Sequence, residues 1–467
     1  MRTAENVGAV VNFATAHWLS TVVIFLFIAI TIGLLLGDGT PNYKQYPFVG
    51  QGLLKPWLNW STADRWRIHE LEHTVFEKIL DETVVLLNDE ANFVFAKEVG
   101  DITDWKQFKT MELSSKLVHY ISNRILVGPE LCRRADYRVA TESLNMSHVI
   151  FGTLWNFISL GPFRKTFYWV FSIPYRMQIR RAMDKYIVPI VKERMAKNSD
   201  EIFHGHLDTI QLMVEMPHAD PKEVDAFRHA LRLLHLHFAS TGSTIGLVHN
   251  AIWQLLKIPE CVGPIRAEIA AVLEKYGSWD SKHTLNHLHL LDSFVRETLH
   301  VHIPSALVFL RVAQQPLTLH DGFHLEQGTR ITFPAQSIHF DPSNYENPRD
   351  FIPFRFSSSG PCDCEADSSA KDVGRVKAEA IDQTYLPFGY GKQSCPGWQS
   401  SPEASPITRF FAIRVTKLIL GRLIYEYDMK KTDDFPPNPI SGSMEGFFLP
   451  VKKFDVFLRT RASHLDA

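Results

Sequence analysis

The sequence predicts a mainly α-helical protein with a small β-sheet region late in the chain, carried on an N-terminal transmembrane helix. Three observations lead there. Trp18 to Gly37 is an unbroken apolar run of 20 residues. Between Pro221 and Pro259 no proline interrupts a long stretch suited to helix. Ala306 to Pro334 instead alternates short β-type runs with Asp-Gly and Gln-Gly turn pairs.

From Asn6 to Gly37 no residue is formally charged. Twenty helical residues at about 1.5 Å each span a hydrocarbon core of roughly 30 Å. A cleaved signal peptide has a shorter apolar region, whereas this run is long and ends in Gly37-Asp38-Gly39-Thr40-Pro41. The organisation expected is therefore a tail at 1–16, a retained anchor at 17–37 and one body at 38–467, with no internal repeat. Arg2, Glu5 and Lys44 are too few to fix the orientation by charge. Leu113 to Arg124 and Ile179 to Met195 carry apolar residues at helical spacing, with Pro189 placed to kink the second. Asp220-Pro221 reads as the cap and first turn of a helix of almost 40 residues, about 55 Å long. Strands are expected at Leu307 to Val312, Leu317 to Leu319 and Arg330 to Phe333, separated by turns at Asp321-Gly322 and Gln327-Gly328. The aromatic stretch from Asn145 to Met177 has two readings: core packing of helices interrupted at Pro162 and Pro174, or a surface dipping into the bilayer beside the anchor.

Composition excludes several classes of function. With 45% hydrophobic residues in a 467-residue chain, disorder is excluded and a large core is affordable. Lys plus Arg total 49 and Asp plus Glu 51, a balance that argues against a nucleic-acid partner. Five cysteines cannot make a disulfide scaffold, and the odd count leaves at least one thiol for reaction or ligation. Cys362-Asp363-Cys364 lacks the second ligand pair of a zinc site and sits in a loop-like setting. His235, His237 and His249 fall on the long helix without a His-Glu-x-x-His pattern, so solvated or core roles are expected of them. Asn59-Trp60-Ser61 and Asn145-Met146-Ser147 match the glycosylation acceptor pattern.

The most informative stretch is Phe388-Gly389-Tyr390-Gly391-Lys392-Gln393-Ser394-Cys395-Pro396-Gly397. A thiolate delivered to haem iron needs a loop that brings backbone close to sulfur, and Gly391 and Gly397 supply positions without a Cβ. Amides around Cys395 would then tune the electron density passed from sulfur to iron, and Phe388 would shield the sulfur from water. This loop resembles that of the cytochrome P450 family, specifically its membrane-anchored fungal members, and the similarity runs in order over roughly residues 75 to 460. Phe351-Ile352-Pro353-Phe354-Arg355-Phe356 is similar to the family's Phe-x-Pro-x-Arg-Phe segment, and Leu291 to Thr298 to its Glu-x-x-Arg helix. The resemblance implies the cytochrome P450 fold, haem b held through iron by Cys395, a buried charge pair of Glu297 with Arg355, and a haem propionate near Arg311. It also implies an amphipathic helix at Arg409 to Ile424 along the proximal haem face.

Four departures qualify the resemblance. His300 stands where the family has an arginine, so a weaker charge network is expected around Glu297 and Arg355. In Phe238-Ala239-Ser240-Thr241-Gly242-Ser243-Thr244 the alcohol of the distal helix is kept as Ser243 or Thr244, but Gly242 replaces the acid, so proton relay must lean on hydroxyls and water. Gln393 occupies a position where a histidine or arginine often faces a propionate. Residues 398–408 read as an insertion, and the chain looks shortened near 60–77. The implied activity is oxidation of an apolar secondary-metabolite intermediate (a terpenoid, polyketide or alkaloid) with dioxygen and electrons from a separate NADPH-dependent cytochrome P450 reductase. The implied setting is the endoplasmic reticulum membrane, with the catalytic domain facing the cytosol. A haem protein without turnover and a haem-thiolate isomerase or dehydratase are the alternatives.

Overall fold

The computed structural model describes residues 83–157, 170, 172–196, 207–215, 225–357, 377–390, 395, 408–437, 443–444, 447–448 and 453–462. The expected anchor at 17–37, the shortened region at 60–77, Cys362 to Cys364 and residues 398–407 lie outside the described residues. No helix among the described residues is long and apolar enough to cross a membrane.

Two units contain the described residues, one within 141–182 and one within 60–140 and 183–467. In the smaller, Gln178 Nε2 donates to Ser143 Oγ at 3.0 Å and Ser147 Oγ donates to Gln178 Oε1 at 3.3 Å. The larger unit is built on five helices: α1 (Thr83–Glu98), α2 (Thr110–Leu126), α3 (Ala226–Lys257), α4 (His289–Val301) and α5 (Thr408–Glu426). α3 packs against α2, α4 and α5, and Val248, Ala251, Ile252 and Trp253 are buried on it. Leu117, Val118 and Ile121 of α2 are buried too, as are Val415, Ile419 and Leu420 of α5. Burying each such side chain stabilises the fold by about 1.5–3 kcal/mol, which is why α3 forms the axis of the unit.

Two expectations need correction, and a third, the interruption at Pro189, is met. α3 starts at Ala226, not near Asp220, because Asp225 is the cap: its Oδ2 accepts from the Arg228 amide at 3.0 Å. The helix is thus 32 residues, about 48 Å. The helix expected over Ile179 to Met195 is three pieces, an α-helix at Ile173–Ala182, a π-turn at Met183–Ile187 and an α-helix at Val188–Ala196. Pro189 has no amide hydrogen to give the Lys185 carbonyl and its ring crowds that oxygen, and the widened turn relieves both. α5, expected to be amphipathic, is buried on nearly all sides from Phe411 to Ile424. It even takes Lys417 inside, where Nζ meets Asp292 Oδ1 at 2.8 Å.

Three of the strands, those at Val308–Val312, Leu317–Thr318 and Arg330–Phe333, fall where the turn signals put them. β2 (Val308–Val312) pairs antiparallel with β5 (Arg330–Phe333), and β3 (Leu317–Thr318) with β4 (His324–Leu325). Gly322 and Gly328 sit at φ 87° and 85°, the left-handed region those turns demand. A three-stranded sheet joins β1 (Lys106–Lys109), β9 (Asp455–Thr460) and β6 (Tyr427–Lys431) in that order, all antiparallel. Register is set by Phe108 opposite Val456 and Met429 opposite Leu458. A small hairpin, β7 (Ser443–Met444) with β8 (Phe447–Phe448), completes the strands.

Gly128 carries a clear stability prediction. It adopts φ 76°, ψ −179°, a region open essentially to glycine alone, and a Cβ there would run into Asp208 Oδ2 and lie 2.8 Å from Glu130 Oε2. Neither carboxylate can retreat, because buried Arg194 grips Asp208 at 2.6 and 2.9 Å and Glu130 at 2.9 Å. Gly128→Ala is expected to cost on the order of 3 kcal/mol, read as a lowered midpoint in urea unfolding.

Candidate active site

α4 is placed by a remote cap. Glu268, from the helix at Val262–Tyr276, accepts from the amides of His289, Leu290 and Leu291 at 2.5, 2.7 and 3.2 Å. Three otherwise orphaned helix amides are satisfied by one carboxylate, which also favours the positive end of the helix dipole. Asp292, in the first turn, holds Lys417 and accepts from the Ala378 amide at 2.8 Å.

One turn on, Glu297 is fully buried and Arg355 nearly so. Glu297 Oε1 accepts from the Ile352 amide at 2.8 Å, and Arg355 Nε donates to Oε1 at 3.2 Å and Oε2 at 3.0 Å. The Arg355 fork goes on to the carbonyls of Glu346, Asn347 and Asp350. Burial pushes the Glu297 carboxyl up to about 7, against the downward pull of the Ile352 amide and of Arg355. The expected pair is therefore made. His300 does not join it: its Nε2 donates to the Pro348 carbonyl at 3.1 Å, one bond where a guanidinium could make several. The expectation of a thinner network holds in that sense.

Arg296 is a contributor that sequence reasoning missed. Its Nη1 donates to the carbonyls of Lys377 and Ala380 at 2.8 and 2.7 Å, its Nη2 meets Asp382 Oδ2 at 3.3 Å, and its guanidinium lies 3.6 Å from the Tyr385 ring centroid. It thereby ties α4 to the segment that runs into the cysteine loop. No spacing rule marks it, since it is a lone arginine beside a motif glutamate.

Phe388 and Cys395 are brought together by the backbone, where the Cys395 amide donates to the Phe388 carbonyl. Gly389, at φ 73°, closes a turn at Leu386–Gly389, its amide donating to the Leu386 carbonyl at 3.0 Å. Gly391, Gln393 and Gly397 lie outside the described residues. Arg311 lies half-buried on β2 opposite Ile331, and the bonds of Glu297 and Arg355 do not extend to it.

On α3 the structure separates the two candidate alcohols. Thr244 is buried, with Oγ1 donating to the Ser240 carbonyl at 2.6 Å, whereas Ser243 is exposed, with Oγ donating to the Ala239 carbonyl at 3.1 Å. Ala239, Gly242 and Ser243 form an exposed face of small residues midway along an otherwise buried helix. A Cβ built on Gly242 meets no atom within 4 Å. His237, by contrast, is fully buried, so its expected core role is met; desolvation holds its ring neutral.

These residues fit a haem held through sulfur. Cys132 and Cys261 are buried, and burial pushes both thiols up to about 12, which removes them as ligands at neutral pH. Cys395 is exposed and its amide is held by the Phe388 carbonyl, and α3 offers open space over small side chains. Comparison with known proteins agrees. The family model of the cytochrome P450s matches residues 68–458. The cytochrome P450 monooxygenase sirB of Leptosphaeria maculans is 37% identical over 400 residues, covering 84% of this chain and 73% of that one. The monooxygenase olcJ of Penicillium canescens is 30% identical over 396 residues, 81% of this chain and 68% of the relative. An ent-kaurene oxidase of Gibberella intermedia is 28% identical over 378 residues, 78% and 66% of the two chains. The matched span covers the buried Glu297–Arg355 pair, the exposed Cys395 and the open face of α3, so the chain belongs to the cytochrome P450 family, the haem b-dependent haem-thiolate monooxygenases.

Proposed function

We propose that this monooxygenase oxidises an apolar secondary-metabolite intermediate, such as a terpenoid, polyketide or alkaloid, with Cys395 as the iron ligand. The exposed Cys395, its amide held by the Phe388 carbonyl, is the observation that carries the reading. Haem b, when bound, supplies the activation of dioxygen that an unactivated C–H bond requires. Around it Cys395 Sγ would be the iron ligand and Arg311 would meet a propionate, while Phe388 holds the cysteine amide. The Ala239–Gly242–Ser243 face is the floor of the substrate pocket, small enough to admit a ring system. With no carboxylate at Gly242, proton delivery falls to Ser243: its hydroxyl leaves the Ala239 carbonyl by rotation about χ1 and donates outward, while water reloads Oγ. Thr244, buried and bonded to Ser240, serves the helix rather than the relay.

Electrons come from a separate NADPH-dependent reductase in this reading, and residues 17–37 anchor the protein in the endoplasmic reticulum membrane with the catalytic domain in the cytosol. The relative named an ent-kaurene oxidase supports an apolar substrate. The test is the reduced carbon-monoxide difference spectrum followed by turnover. A red-shifted thiolate-type Soret band and a product that needs both dioxygen and reductase are expected. Product formed without either would instead favour an isomerase or dehydratase, and full haem occupancy without product a protein that no longer turns over.

A further inference from the structure

His300 replaces an arginine, yet it is not idle. Its ring stacks on His339 at 5.2 Å and 8°, and His339 stacks on Tyr385 at 5.4 Å and 9°. All three side chains are buried. His339, which ends the short helix Ala335–His339, bonds at both nitrogens: Nδ1 lies 3.0 Å from the His300 carbonyl, and Nε2 accepts from the Leu386 amide at 2.8 Å. Because an amide can only donate, Nε2 must be the bare nitrogen and Nδ1 the protonated one. His339 is thus neutral in the folded protein, in a fixed tautomer. Leu386 in turn accepts from Gly389, and Phe388 accepts from Cys395.

We propose that His339, stacked between His300 and Tyr385, is a positioning residue for Cys395, and that its neutral ring makes retention of the thiolate geometry acid-sensitive. It acts through the Leu386 amide, which sets the turn that offers the Phe388 carbonyl to the cysteine. This inference rests on Cys395 being the ligand. Protonating Nε2 would put two donors face to face and release the turn.

The charged and titratable groups around the ring are on the page. From α4 come Arg296, which disfavours a positive charge on the His339 ring, and the His300 carbonyl, whose hydrogen bond favours one. From the segment before the loop come Asp382, which favours it, and Tyr385. Beyond them Tyr345 lies edge-on to His300, and Arg355, paired with Glu297, is among the positive charges that hold the His300 ring neutral. Burial is the largest influence and holds His339 down to about 4 and His300 down to about 3. A folded-state value below the unfolded one means that the open state takes up more protons. The closed turn therefore keeps its full advantage above about 6.5 and loses it as pH falls towards about 4.

The test follows the thiolate-type fraction of the reduced carbon-monoxide spectrum of the full, haem-loaded chain from pH 8 to pH 4 in wild type, His339→Gln and His339→Leu. Glutamine places a non-titrating amide oxygen where Nε2 was. It is expected to keep the thiolate-type band at neutral pH and to shift the acid loss to lower pH than in wild type. Leucine cannot accept from Leu386 and is expected to lose about half or more of the band at every pH while haem content is retained. Coincident acid profiles for wild type and His339→Gln would overturn the proposal, as would a leucine variant with a complete band. If His339→Leu fails to fold by circular dichroism, the comparison of wild type with His339→Gln decides. A Cys395→Ala protein that still gave the band would show that the ligand assignment, and not the role of His339, had failed.

Discussion

Cys395→Ala is expected to abolish the thiolate-type carbon-monoxide band and all dioxygen-dependent product, while leaving the helical content of the protein unchanged. The expected loss is complete because the other described cysteines offer no substitute: Cys132 and Cys261 are buried, with thiols pushed up to about 12. The fold should tolerate the change because the Cys395 side chain is exposed and its amide bond to Phe388 survives truncation at Cβ. Haem titration with circular dichroism separates the two effects. A variant that kept the band would remove sulfur at this position from the mechanism.

Glu297→Leu is expected to be the most damaging substitution for stability, costing about 3–5 kcal/mol. It leaves the Arg355 guanidinium charged in a site where it is almost fully shielded from solvent, and strands the Ile352 amide. Glu297→Gln should cost less, since an amide oxygen can still accept from Ile352 and Arg355. Removing both charges in Glu297→Leu/Arg355→Met should recover part of the loss, because the expensive species is the unpaired ion, not the missing pair. Unfolding free energies of wild type, Glu297→Leu, Arg355→Met and the double variant give the interaction energy. Equal losses in single and double variants would mean that the pair contributes packing alone. The wild-type pair has a pH signature of its own. Burial raises the Glu297 carboxyl from its ordinary value of about 4.5 to about 7, so this group's contribution is full below about 4.5 and declines as pH rises towards about 7.

Legibility in the sequence tracks the range of the interaction. The strand at Arg330 to Phe333 and the flanking Gly322 and Gly328 turns were readable because turn chemistry is local. Glu297 and Arg355, although 58 positions apart, were readable because each sits in a motif. The start of α3 was misplaced since Asp220-Pro221 and Asp225 are both good caps, and only the Arg228 amide distinguishes them. Glu268 capping α4, Lys417 meeting Asp292 and His339 holding Leu386 left no trace in periodicity. Each is a single polar side chain whose partner is chosen by tertiary packing. At the site, sequence spacing gave Ser243 and Thr244 equal standing, and only the observed rotation of α3 exposes one and buries the other.

The three-stranded sheet sets a schedule for synthesis. Ile102 and Thr460 bond reciprocally, through Ile102 to Thr460 Oγ1 at 2.8 Å and the Thr460 amide to the Ile102 carbonyl at 2.9 Å, across 358 positions. At about 5–20 residues per second, a ribosome delivers β9 roughly 20–70 s after β1. Throughout that interval the edge of β1 that will pair with β9 has no neighbour, and the nascent polypeptide depends on chaperones or on its own helices to keep that edge from pairing with a stranger.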